Sequence, residues 1–106
     1  MADSRVNVPA TIVRGQPFEV RISIRHPMET GYRMDNAGKS IPRNVIRTFT
    51  CRYNGSVVFS ARLSSGIAAN PYLRFFLTAA DSGELAFEWV DDAGVRGSDR
   101  ATITVA

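Results

Sequence analysis

Residues 48–63 read TFTCRYNGSVVFSARL, and this stretch decides the fold class. Phe49, Cys51 and Tyr53 alternate with Thr48, Thr50 and Arg52. That period of two puts one row on a buried face and the other in water. Asn54-Gly55 follows, the pair that best tolerates positive φ at both central positions of a type I′ turn. Val57, Phe59, Ala61 and Leu63 then alternate on the return strand. The segment is expected to be a β-hairpin, with Cys51 on its apolar face.

The same pattern extends in both directions. Upstream, Phe18, Val20, Ile22 and Ile24 alternate with Glu19, Arg21, Ser23 and Arg25, after a turn at Gly15-Gln16-Pro17. An earlier strand is expected near Arg5 to Val13. Downstream, a strand from Arg74 to Ala79 ends at Asp81-Ser82-Gly83. Leu85, Phe87 and Trp89 alternate next, Asp92-Ala93-Gly94 makes a turn, and Ala101, Ile103 and Val105 alternate in the last strand. No segment holds a helical period, and the prolines fall between or at the ends of the runs. The expectation is one all-β domain over residues 1–106, an immunoglobulin-like β-sandwich of about seven antiparallel strands.

Composition supports an ordered core. The 106 residues are 44% hydrophobic and 22% charged, ordinary for a globular domain. Thirteen basic residues face ten acidic ones, a net charge of +3, and no block of like charge occurs. Nucleic-acid binding, which needs clustered charge, is not expected, nor is membrane insertion, because the apolar runs are short. Cys51 is the one cysteine, so no intrachain disulfide can form. The start, MADSRV, lacks the basic and apolar regions of a signal peptide. It fits a cytoplasmic chain, a trimmed one, or one exported with a partner that carries the signal.

Residues 26–43, HPMETGYRMDNAGKSIPR, have neither alternation nor helical period. Connections this long are uncommon in compact domains and are usually functional or disordered. The segment reads equally as a surface excursion or a binding surface. A second irregular stretch is SSGIAANP, from Ser64 to Pro71.

Catalytic and metal chemistry find little support. His26 is the single histidine, and with Cys51 on another element it supplies no ligand set. A mid-strand cysteine among aromatic residues is expected to be a core residue rather than a nucleophile. Asp91-Asp92 lies beside Gly94, where a turn favours aspartate for backbone reasons. Trp89 is expected in the core. No phosphate-binding glycine loop or nucleophile elbow occurs, and no cofactor is expected. Four apolar residues, Ile46, Val58, Phe76 and Val90, fall on the outward parity of their strands. They are surplus to a sandwich interior, so together they could mark an interaction site on an outer sheet face.

HPMETG (26–31), IPR (41–43), YNG (53–55), ANPY (69–72) and SGELAFEWVDDAG (82–94) occur in that order. Together they resemble the SoxZ family of the thiosulfate-oxidising Sox system, from about Val13 to the end of the chain. The resemblance implies an immunoglobulin-like, non-catalytic subunit that pairs with SoxY. SoxY carries sulfur intermediates on a cysteine in a glycine-flanked C-terminal arm, and other Sox enzymes act on that sulfur. It also implies a periplasmic complex exported on SoxY's signal. This chain has no Gly-Gly-Cys-Gly-Gly tail, so the carrier role is not placed on Cys51. Partner contacts are then expected at His26, Met28, Glu29, Ile41, Arg43 and Asn70, and at the outward row Ile46, Val58, Phe76 and Val90. The rivals are a free-standing binding or adhesion sandwich and a thiol enzyme using Cys51.

Overall fold

The computed structural model describes residues 4–63 and 70–106. Seven strands form two sheets, and no helix occurs among the described residues. The strands are β1 (Ser4–Asn7), β2 (Phe18–Ile24), β3 (Ile46–Tyr53), β4 (Ser56–Arg62), β5 (Tyr72–Leu77), β6 (Gly83–Asp91) and β7 (Arg96–Ile103). One sheet has the order β1-β2-β5 and the other β4-β3-β6-β7, with every pairing antiparallel. This is the expected β-sandwich.

The alternating rows build the core. Phe18, Val20, Ile22, Ile24, Leu85, Phe87, Trp89 and Ile103 are all buried, and Val105 packs against them partly buried. Phe49 is central: its ring lies 6.1–6.5 Å from those of Phe59, Phe75, Phe87 and Trp89. Phe59 and Phe75 stack at 4.1 Å, joining β4 of one sheet to β5 of the other. The 49–59 hairpin turns as expected, with φ of 47° at Asn54 and 89° at Gly55.

Strand limits depart from the sequence pattern in three places. The expected strand from Arg5 to Val13 is split. β1 pairs with β2, whereas Ile12 makes a parallel bridge to Val105 beside the other sheet. Pro9 cannot donate to a ladder, which suits it to the crossover between sheets. β5 runs from Tyr72 to Leu77 rather than from Arg74 to Ala79. β7 begins at Arg96, well before Ala101. Its polar first half hides from the alternation because β7 is an edge strand and its inward residue opposite Trp89 is Gly97.

Two bulges overturn parity readings. The β3–β6 register shifts between Ile46 and Thr48, so Ile46, expected outward, is completely buried beside Val45. An extra residue in one strand reverses the facing of everything before it. The β3–β4 register shifts between Cys51 and Arg52, which pairs Val57 with the outward Arg52. Val57, expected inward, is therefore exposed.

Candidate interaction surface

The long segment after β2 is ordered from its base. The His26 amide donates to Asn70 Oδ1 at 3.0 Å, and the His26 carbonyl accepts the Asn70 amide at 2.7 Å. His26 Nδ1 accepts the Met28 amide at 2.9 Å, which leaves the ring proton on Nε2, facing Asp91 Oδ2 at 3.1 Å. Asp91 Oδ1 accepts the amides of Ala93 and Val95, each at 2.9 Å. Burial alone would raise the Asp91 pKa, but the bonds from His26, Val95 and Ala93 outweigh it and hold the carboxyl below its ordinary range. This small polar cluster ties the end of β2 to the end of β6. Met28 takes a left-handed φ of 51°, and its Sδ accepts the Ile46 amide at 3.3 Å. His26 and Met28 are therefore buried pins of the segment.

Beyond the pins the chain forms an arm of two antiparallel segments. Glu29 and Asn44 exchange amide–carbonyl bonds at 2.8 Å, and Met34 bridges Ser40. Asp35 Oδ1 closes the tip by accepting the amides of Ala37 and Lys39 at 2.9 Å. The molecule measures 57 by 25 by 20 Å. A nine-residue strand, the length of β6, spans only about 30 Å, so the arm projects well past the sheets. Tyr32 is 90% exposed and Met34 64%. Glu29 pairs with Arg33, whose hydrogen bond holds the Glu29 carboxyl below its ordinary range, and Arg43 pairs with Asp92. Ile41 is half-buried and Asn70 is exposed, with its side chain spent on His26.

The outward row does not form one face. Ile46 is in the core, and Val90 is half-buried between Thr48 and Arg96 on the four-stranded sheet. Val58 and Phe76 do share a site: both line an open cleft of about 300 Å³ with Phe18, Tyr53, Leu77 and Leu85. The bulge at Val58 places it there. This cleft lies at the end of the sandwich away from the arm: it holds Phe18, the first residue of β2, whereas the arm follows the last. β4 and β5 are edge strands of their sheets, brought side by side by the Phe59–Phe75 stack. Val57, Val58, Tyr72 and Phe76, half of the large exposed apolar residues described, lie on these two strands. The opposite edges, β1 (SRVN) and β7 (RGSDRATI), are polar. Open apolar edges are what soluble sheets avoid unless they are covered. Sequence parity missed Val57 because of the bulge, and Tyr72 because the β5 start was misplaced.

Cys51 is buried, and desolvation pushes its thiol up to about 11. Among the described residues no three His, Cys, Asp or Glu side chains are grouped to hold a metal. Among these residues no helix is long and apolar enough to cross a membrane.

The family model described as "Sulphur oxidation protein SoxZ" matches residues 6–102. The chain belongs to the SoxZ family. The sequence motifs had pointed to the same family. A comparison with curated protein sequences returned no match. Among solved structures, a superoxide reductase (neelaredoxin) from Ignicoccus hospitalis aligns at 22% identity with a TM-score of 0.75, covering 97% of this chain and 80% of that one. One from Archaeoglobus fulgidus aligns at 21% and 0.63, covering 97% and 88%. The sulfur carrier protein SoxY from Chlorobium limicola f thiosulfatophilum aligns at 10% and 0.67, covering 100% and 81%. At these identities the likeness establishes the sandwich and nothing about chemistry. It also shows that this SoxZ-family chain and a SoxY share one fold.

Proposed function

We propose that this chain is the non-catalytic subunit of a SoxYZ sulfur-carrier complex. It binds SoxY and helps present SoxY's cysteine-bound sulfur intermediates to Sox enzymes during thiosulfate oxidation. The complex works in the periplasm, and SoxY's export signal carries the chain there. The observation that carries this reading is the SoxZ family match across residues 6–102. The buried, high-pKa thiol of Cys51 supports it, because sulfur attachment needs an accessible thiolate and is left to the partner.

The β4–β5 edge is the surface this reading assigns to SoxY. Its two open strands offer unpaired backbone groups, and the cleft that Val58 and Phe76 line between them offers an apolar centre of the kind stable interfaces need. Co-expression with the SoxY gene is the test. A stoichiometric complex that loads sulfur on SoxY, with none on this chain by intact mass, is the expected result. A chain that stays alone after co-expression would return the free-standing module to the front.

A further inference from the structure

The cations divide by pairing. Arg14, Arg21, Arg33, Arg43, Arg47, Arg52, Arg74 and Arg100 each have a carboxylate in ion-pair range. Arg5, Arg25, Lys39, Arg62 and Arg96 have none among the described residues, and all five are exposed. The strand registers put these five at one end of the molecule. Arg5 pairs with Ser23 near the end of β2, and Arg25 follows that strand. Arg62 pairs with Thr48, which pairs with Val90, which pairs with Arg96. Lys39 lies at the tip of the arm that leaves from this same end. Tyr32 and Met34 on the arm, and Val95 in the β6–β7 turn, are large, apolar and exposed here too.

We propose that the arm end is a second docking surface, which takes an acidic protein surface with an apolar centre. It builds on the reading above by making the chain a two-ended subunit, with SoxY at the β4–β5 edge and another protein at the arm. Cations with no carboxylate partner among the described residues, set around exposed tyrosine and methionine, match an acidic rim around an apolar patch. A polyphosphate or an anionic membrane fits less well. Glu29, Asp35 and Asp92 stand at the same end, and Asp92 already neutralises Arg43 and Arg47. A protein partner can match such mixed signs, and a uniform anion cannot.

The test places p-benzoylphenylalanine at Tyr32, at Phe76 or, as background, at Thr102 of the full chain, co-expressed with SoxY in cells growing on thiosulfate. On irradiation the Phe76 position should label SoxY. The Tyr32 position should label an acidic segment of a different protein. Adding Lys39→Glu and Arg62→Glu should cut the Tyr32 label roughly tenfold and leave the Phe76 label unchanged, because reversed rim charges oppose encounter. Labelling from Tyr32 that reaches only SoxY, only lipid or nucleic acid, or no more than Thr102 overturns the proposal, as does indifference to the charge reversals. A Tyr32 label that behaves as expected beside a silent Phe76 refutes the β4–β5 assignment instead and leaves the arm surface standing.

Discussion

Gly97 sits directly across the β6–β7 ladder from Trp89, and the indole covers the space a side chain at Gly97 would need. A Cβ there would collide with Nε1 and Cε2 of the ring. Trp89 in turn stacks on Phe49 at 6.5 Å, so a displaced indole disturbs the centre of the core.

Gly97→Ala is therefore expected to destabilise the chain by about 1–3 kcal/mol through overpacking. Urea unfolding measures the loss, and a red shift of the single tryptophan's emission reports the displaced ring. In a Trp89→Leu background the same substitution should cost much less, since the colliding atoms are gone. Equal costs in both backgrounds would place the effect in the Gly97 backbone.

Cys51→Ala should cost on the order of 1 kcal/mol, as small core truncations do, and should retain sulfur-oxidation activity when reconstituted with SoxY and its enzymes. With its thiol pushed up to about 11 by burial, native protein at pH 8 should react with a thiol reagent only as fast as it unfolds. Rapid native labelling, or an inactive but folded alanine variant, would revive a chemical role for Cys51.

Asp91 gives stability a pH dependence of known sign. Its folded pKa lies below the unfolded value, so its contribution is complete above roughly pH 4 and is lost as pH falls through the folded pKa. Asp91→Asn should lower stability at pH 7 by about 1–3 kcal/mol, because His26 and the 92–95 turn lose their charged acceptor. It should also flatten the acid limb of the stability curve. An unchanged acid limb in chemical unfolding at pH 3–7 would mean that other carboxylates set it.

Val58→Asp and Phe76→Asp change exposed positions and should alter the unfolding free energy by no more than about 0.5 kcal/mol. Co-purification with SoxY should nevertheless be lost in both. Val90→Asp, on the outer face of the four-stranded sheet away from that edge, should retain it. Normal SoxY binding by the first two variants would move the interface away from the β4–β5 edge.

Alternation along Phe18–Ile24, Phe49–Tyr53 and Leu85–Trp89, together with Asn54-Gly55, carried the strands, the core and the hairpin, because side-chain facing in a regular strand depends only on parity. Ordered motifs from HPMETG to SGELAFEWVDDAG carried the family. Parity fails where a residue is inserted, and only the cross-strand register reveals the insertion. Ile46 is buried because of a bulge in its pairing with the distant β6, and Val57 is exposed because of a bulge within the β3–β4 hairpin. His26 read as part of an irregular loop because its partners, Asp91 and Asn70, are 65 and 44 residues away. The candidate surfaces were beyond the sequence for the same reason. Val58 and Phe76 line one cleft, and the cations without a carboxylate partner among the described residues gather at one end, only because the two sheets stack and bring remote strand ends together.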